Sequence, residues 1–138
     1  VFVLRDRHNK VYNATVHDID SVYDICLLSV PAILPITEIA KEEPKPGDPI
    51  YYSGYPLGMY VANGINYFDG RMAGASQDNN HLYNIPTVSG ASGSPVYNED
   101  GEVIGLISAV MVEFEHMTLG MGRTNIINFL NSSLEGLE

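Results

Sequence analysis

At 138 residues the chain has one domain's worth of length, enough to bury a core without disulfides. Hydrophobic residues make up 45% and charged residues 17%, which excludes a disordered or fibrous chain, and no apolar run approaches the roughly 18 residues of a membrane span. With 7 basic residues and a net charge of −10, the chain lacks the Lys/Arg stripe that nucleic acid or an anionic membrane surface requires, and its acidity reads as a source of solubility.

The first residue is Val1, so any targeting signal would lie upstream. Residues 1–4 are β-rich and lead into a polar turn over 5–10. Residues 11–18 alternate, with Val11, Asn13 and Thr15 on one face and Tyr12, Ala14 and Val16 on the other, which predicts a half-buried strand. Residues 23–30 are more continuously apolar and predict a strand buried on both faces, with Cys26 as a core thiol. As the single cysteine it forms no intramolecular disulfide, so the redox compartment stays open.

Residues 35–49, broken by Pro35, Pro44, Pro46-Gly47 and Pro49, predict a connecting loop with one short turn of structure near 37–40. Strands follow at 50–53, 61–69, 71–75, 81–85, 95–97, 103–112 and 117–122, separated by turn chemistry at Asp69-Gly70, Gln77-Asp78-Asn79-Asn80 and Asn98-Glu99-Asp100-Gly101. From Thr124 or Asn125, either able to cap, Ile126, Ile127, Leu130 and Leu134 fall at helical spacing until Gly136. Many short strands and one terminal helix predict an all-β barrel or sandwich, without internal repeats.

The chemically informative segment is Ser89-Gly90-Ala91-Ser92-Gly93-Ser94-Pro95-Val96. Small residues on both sides of Ser92 let backbone N–H groups converge beside its hydroxyl, as an oxyanion hole requires. On composition alone it reads more readily as a Gly/Ser-rich turn between strands. A nucleophile elbow of the Gly-x-Ser-x-Gly type fits poorly, because Ser94 stands at the second glycine and a strand follows. The chain has no His-Glu-x-x-His or Cys/His cluster, and Glu113, Glu115 and His116 alternate along a strand end as solvated groups do. A phosphate loop is excluded by the missing lysine and following helix, so no metal or other cofactor is expected.

The segment from Gly90 to Val96, followed by Asp100-Gly101 and Val103-Ile104-Gly105, resembles the Gly-Asn/Asp-Ser-Gly-Gly-Pro-Leu/Val stretch of trypsin-like serine proteases. Upstream, Pro46-Gly47-Asp48-Pro49-Ile50 through Gly54-Tyr55-Pro56-Leu57-Gly58 is similar to an HtrA-like stretch, and Asp24-Ile25-Cys26-Leu27-Leu28 resembles the segment supplying the triad aspartate. Leu119-Gly120-Met121-Gly122 and the helix resemble the end of the second barrel, so the likeness spans nearly the whole chain in order.

The resemblance implies a two-barrel fold, with residues 1–56 as the remainder of the first barrel and the connection, and 57–138 as the second barrel with its helix. It implies Ser92 as nucleophile, the N–H groups of Gly90 and Ser92 as oxyanion hole, and Asp24 as the carboxylate that orients a histidine. It places Pro86, Thr87 and Val88 on one wall of the substrate pocket, Ser108, Ala109 and Val110 on the other, and Met121 and Gly122 at its base. No acid among these implies a small or medium apolar side chain at the cleavage site, and Ser108 to Val110 would pair with substrate backbone.

The sequence departs from the family at Ala91 and Ser94, and more seriously at the histidine. His8, His17, His81 and His116 all read as surface or turn residues at positions or in an order the family does not use. The expectation is therefore a serine endopeptidase acting on a polypeptide, with the histidine and two first-barrel strands supplied upstream of Val1 or by a second chain. The alternative is an inactive protease-fold module that binds peptides or subunits. Compartment and oligomeric state are left open.

Overall fold

The computed structural model describes residues 2–58, 64–111 and 117–135. In chain order it forms β1 (Phe2–Arg5), β2 (Val11–Asp20), β3 (Ile25–Ser29), β4 (Pro49–Gly54), a 3-10 turn (Pro56–Gly58), β5 (Asn66–Ala75), β6 (Asn80–Asn84), β7 (Pro95–Tyr97), β8 (Val103–Val110), β9 (Met117–Gly122) and α1 (Arg123–Leu134). β1, β2 and β3 make an antiparallel sheet, and the other strands close a barrel in the order β4-β5-β6-β9-β8-β7. Among the described residues no helix is long and apolar enough to cross a membrane.

Alternation along the barrel strands explains its core. Ile50 and Tyr52 of β4, Met72 of β5, Tyr83 of β6, Val96 of β7 and Ile104 and Ile107 of β8 all point inward and are buried. Each such large side chain contributes about 1.5–3 kcal/mol. Tyr52 stacks on Phe68 at 4.6 Å between centroids. Register shifts in β5, β7 and β8 add the local twist that closure demands.

The expected break at Asp69-Gly70 is absent: β5 runs through it, pairing with β4 from Asn66 to Arg71. A Cβ at Gly70 would overlap the Asn84 carbonyl oxygen, so this glycine admits a neighbouring backbone and turns nothing. The segment expected as a short turn near 37–40 instead lies alongside β8 through a parallel bridge from Ile39 to Val103. The closed barrel takes in β4, upstream of the expected division at residue 56. Residues 61–63 and 112, within expected strands, lie outside the described residues.

The first sheet departs further from expectation. Ala14 is buried, but β3 is only half-buried and Cys26 is exposed, not a core thiol. An apolar run therefore did not imply burial on both sides. Phe2, Val3, Val11 and Ile19, spread over both faces of the sheet, are exposed.

The helix also sits differently. It starts at Arg123 with Gly122 as N-cap and no side-chain cap bond, and its buried face is Asn125, Ile126, Phe129 and Ser133, with Leu134 exposed. Thr124 and Asn125 are diverted from capping: Thr124 donates to Glu43 Oε1 at 2.8 Å, and Asn125 to the Asp78 carbonyl at 2.8 Å. Ser133 Oγ donates to Asp18 Oδ2 at 2.7 Å, tying the first sheet to the helix.

Candidate active site

Ser92 lies on a double bend held from both sides. The Ala91 N–H donates to the Val88 carbonyl at 3.1 Å, and the Ser94 N–H to the Ala91 carbonyl at 3.0 Å. Gly90 and Gly93 take φ of +94° and +85°, a region that disfavours any side chain, which is why glycines bracket the serine. Gly93 N–H donates to the Ile107 carbonyl at 2.7 Å and Ile107 N–H to the Ser94 carbonyl at 2.9 Å, anchoring the bend to β8. Leu57 N–H donates to the Ser89 carbonyl at 2.8 Å from the other side.

Ala91 and Ser94, the two departures from the family pattern, both face inward. Ala91 joins the hydrophobic core, and buried Ser94 occupies the space that the absent side chain of Gly54 leaves open. Ser92 between them is exposed, and its hydroxyl donates to the Ser108 carbonyl at 3.3 Å. Among the described residues, the N–H groups of Gly90 and Ser92 have no acceptor. Among the described residues the bend thus offers two free donors and one exposed hydroxyl.

Asp24 closes the turn between β2 and β3. Asp20 Oδ1 accepts the N–H groups of Val22 and Tyr23 at 2.9 and 3.1 Å, which shapes the turn, and Asp24 completes it at φ +55°. Its carboxylate is exposed and has no partner among the described residues. Asp24 and Ser92 line one cavity of about 750 Å³, with Gly90, Ser108 and Met121 also on its wall. Asp24 is the one charged residue among the described lining.

The other expected pocket residues lie off that wall. Pro86 presents its carbonyl to the Tyr52 hydroxyl at 3.3 Å, and Thr87 Oγ1 meets Thr118 Oγ1 at 2.6 Å. Val88 is exposed, and Gly122 packs against the His81 ring. Ala109 lines a neighbouring cleft that also touches Asp24 and Ser108, and nothing is described of the Val110 side chain. Tyr55 and Tyr97 line the Ser92 cavity though neither was singled out, since nothing in their spacing marks a wall formed by folding β4 against β7.

The histidines separate clearly. His8 is in the exposed turn after β1, and His17 Nε2 lies 3.3 Å from the Ser133 carbonyl. His116, with Glu113 and Glu115, lies outside the described residues. His81 is no surface residue: it is 1% exposed, with Nδ1 3.0 Å from the Tyr83 hydroxyl and Nε2 3.2 Å from Glu43 Oε2. Since a carboxylate can only accept, Nε2 carries the proton and Nδ1 accepts from Tyr83. Burial pulls His81 below the ordinary histidine range and pushes the Tyr83 phenol far above its own. Among the described residues, no histidine lines the Ser92 cavity.

Residues 2–106 match the trypsin-like peptidase domain family. Among solved structures, the serine endoprotease from Yersinia pestis superposes with a TM-score of 0.87 at 18% identity, over 97% of this chain and 48% of that one. Rv3671c from M. tuberculosis superposes in its inactive form with a TM-score of 0.78 at 19% identity, over 94% of this chain and 68% of that one. The active form of the same protease gives 0.77 at 20% identity, over 88% and 59%. At these identities the likeness is one of fold, and this chain spans about half to two thirds of their lengths. Comparison with curated proteins finds no match.

Proposed function

The chain belongs to the trypsin-like peptidase family, and from that premise we propose that it carries the nucleophile and orienting carboxylate of an HtrA-like serine endopeptidase. The observation that carries this reading is the bend at Ser92: an exposed hydroxyl with two N–H donors that have no acceptor among the described residues, on one cavity with the carboxylate of Asp24, likewise without a partner among them.

In the proposed reaction a histidine from upstream of Val1 takes the Ser92 proton as Oγ attacks the scissile carbonyl carbon. The carbonyl oxygen gains the negative charge and accepts from the N–H groups of Gly90 and Ser92. Asp24 accepts the other ring N–H of the histidine and stabilises the imidazolium. The imidazolium protonates the leaving amine as the C–N bond breaks, leaving an acyl group on Ser92. Water, deprotonated by the same histidine, then releases the acid and restores the serine.

The substrate is a polypeptide whose backbone adds to the Ser108–Val110 stretch of β8. The scarcity of charge on the Ser92 cavity supports a small or medium apolar side chain at the cleavage site. The open first sheet, with Phe2, Val3, Val11 and Ile19 exposed, supports a further part: strands that cover it and bring the histidine, from an upstream segment or a second chain.

A second reading, an inactive module that binds peptides or subunits, draws on the absence of a histidine from the described lining of the cavity. A fluorophosphonate probe separates the two. Labelling at Ser92 in the protein extended upstream supports the peptidase, and a folded extended protein that stays unlabelled supports the module.

A further inference from the structure

A second cleft lies on the outer wall of the barrel. β4 and β7 pair so that Tyr51 stands opposite Tyr97, and β5 sets Asp69 opposite Tyr51 on its other side. Tyr67, two residues before Asp69, shares that outward row, while Tyr52, Phe68 and Val96 turn into the core. Alternation on three adjacent strands therefore brings three phenol rings to one patch. Tyr51, Tyr67 and Tyr97 line a cavity of about 450 Å³ together with Thr37 and Glu99.

The patch is negative as well as aromatic. Asp69 and Glu99 are exposed, and neither has a hydrogen-bond or ion-pair partner among the described residues. The base nearest on the same row, Arg71, is directed to the Gly47 carbonyl at 3.3 Å. The turn that carries Glu99 is held rigidly: Asn98 Oδ1 accepts the N–H groups of Asp100 and Glu102 at 3.0 Å each, and Asn98 Nδ2 donates to Glu102 Oε1 at 2.9 Å. Glu99 is thereby presented with its carboxylate unspent.

Ring faces attract cations through their quadrupole, and a carboxylate beside them adds direct charge. Tyrosines serve this purpose at low cost in side-chain entropy. We propose that this cleft binds a positively charged side chain, the guanidinium or ammonium of an arginine or lysine in a partner polypeptide. Charge complementarity selects this occupant over a second copy of the chain, whose net charge of −10 opposes self-association. Tyr97 also lines the Ser92 cavity, so a polypeptide held here lies next to the other cleft. The proposal does not depend on catalysis at Ser92.

The test is an NMR titration of the chain, following its tyrosine ring resonances, with N-acetyl-arginine amide and N-acetyl-citrulline amide. The second probe keeps the shape of the first and lacks its charge. The expected result is movement of the Tyr51, Tyr67 and Tyr97 signals, with the arginine probe about tenfold tighter than the citrulline probe. Tyr67→Ala weakens the arginine probe by roughly fivefold or more, Tyr67→Phe preserves it, and Glu99→Gln weakens it about threefold. Tyr67 is 69% exposed, so these variants fold. Equal affinity for the two probes, shifts confined to other tyrosines, or no shift with either probe would overturn the proposal.

Discussion

The Ser92 hydroxyl donates to the Ser108 carbonyl at 3.3 Å, on the strand that would pair with substrate. A neutral carbonyl cannot take its proton, so this contact does not activate the serine. The first prediction is that the chain alone hydrolyses peptides no faster than its Ser92→Ala variant. In the protein extended upstream, Ser92→Ala and Asp24→Asn each lower kcat/KM by about 10⁴. Ser92 is exposed, so the melting temperature of Ser92→Ala stays within about 2 °C. Unchanged kcat/KM in the extended protein would remove Ser92 from the role.

The two glycines that bracket Ser92 separate geometry from chemistry. A Cβ at Gly90 would be strained at φ +94° and sit 3.0 Å from the Leu57 nitrogen, so Gly90→Ala displaces an N–H proposed to bind the oxyanion. At Gly93 the φ is +85° but the space is open, and the N–H is already committed to Ile107. Both substitutions cost about 1–3 kcal/mol in stability through strain. Gly90→Ala should slow fluorophosphonate labelling of the extended protein by about 10² or more, and Gly93→Ala by much less. Equal losses of rate would assign both effects to a disordered bend.

How far the sequence carried can be judged at particular residues. The barrel strands and the bend at Ser92 were legible because period-two alternation and glycine placement are local signals. Burial of Cys26 was misread because an apolar run reports what a strand could bury, while a second layer decides what it does bury. The helix cap differs from expectation because Thr124 and Asn125 spend their side chains on Glu43 and Asp78, partners far away in sequence. His81 looked like a turn residue for the same reason, since its cage is built from Tyr83 and Glu43.

Gly70 turns the misread break into a measurement. A Cβ there would overlap the Asn84 carbonyl oxygen and come 2.8 Å from the Ile85 Cβ, which is itself buried. Backbone cannot yield as a side-chain tip can, so Gly70→Ala should destabilise the barrel by about 2–4 kcal/mol in denaturant melts. Gly74, on the same strand, has nothing within 4 Å of an added Cβ, and Gly74→Ala should change stability by about 0.5 kcal/mol or less. Similar values for both would mean that the Asn84 carbonyl and Ile85 leave room for a side chain at residue 70.

The buried His81 makes stability depend on pH in a direction that can be worked out. Burial lowers its proton affinity; the hydrogen bond and charge of Glu43 oppose this and are outweighed, and Arg123 adds to the lowering. An unfolded histidine binds a proton near pH 6.5, so as pH falls through that value the unfolded chain gains a proton the folded chain refuses. Stability therefore falls with falling pH from about 6.5 down to the folded value. Glu43 acts in the same sense at lower pH. Burial raises its pKa, but bonds from Thr124, Arg123 and His81 outweigh that and hold the carboxyl below its ordinary value. Its stabilisation is present above about pH 4.5 and is lost as pH falls through its folded pKa. Thermal melts should thus show a loss beginning near pH 6.5 and a second one below about 4.5. His81→Gln should flatten the first and keep most of the second, since Thr124 and Arg123 still hold Glu43, whereas Glu43→Gln should weaken the second and retain the first. A first loss that persists in His81→Gln would place its origin elsewhere and break the link between the buried imidazole and acid stability.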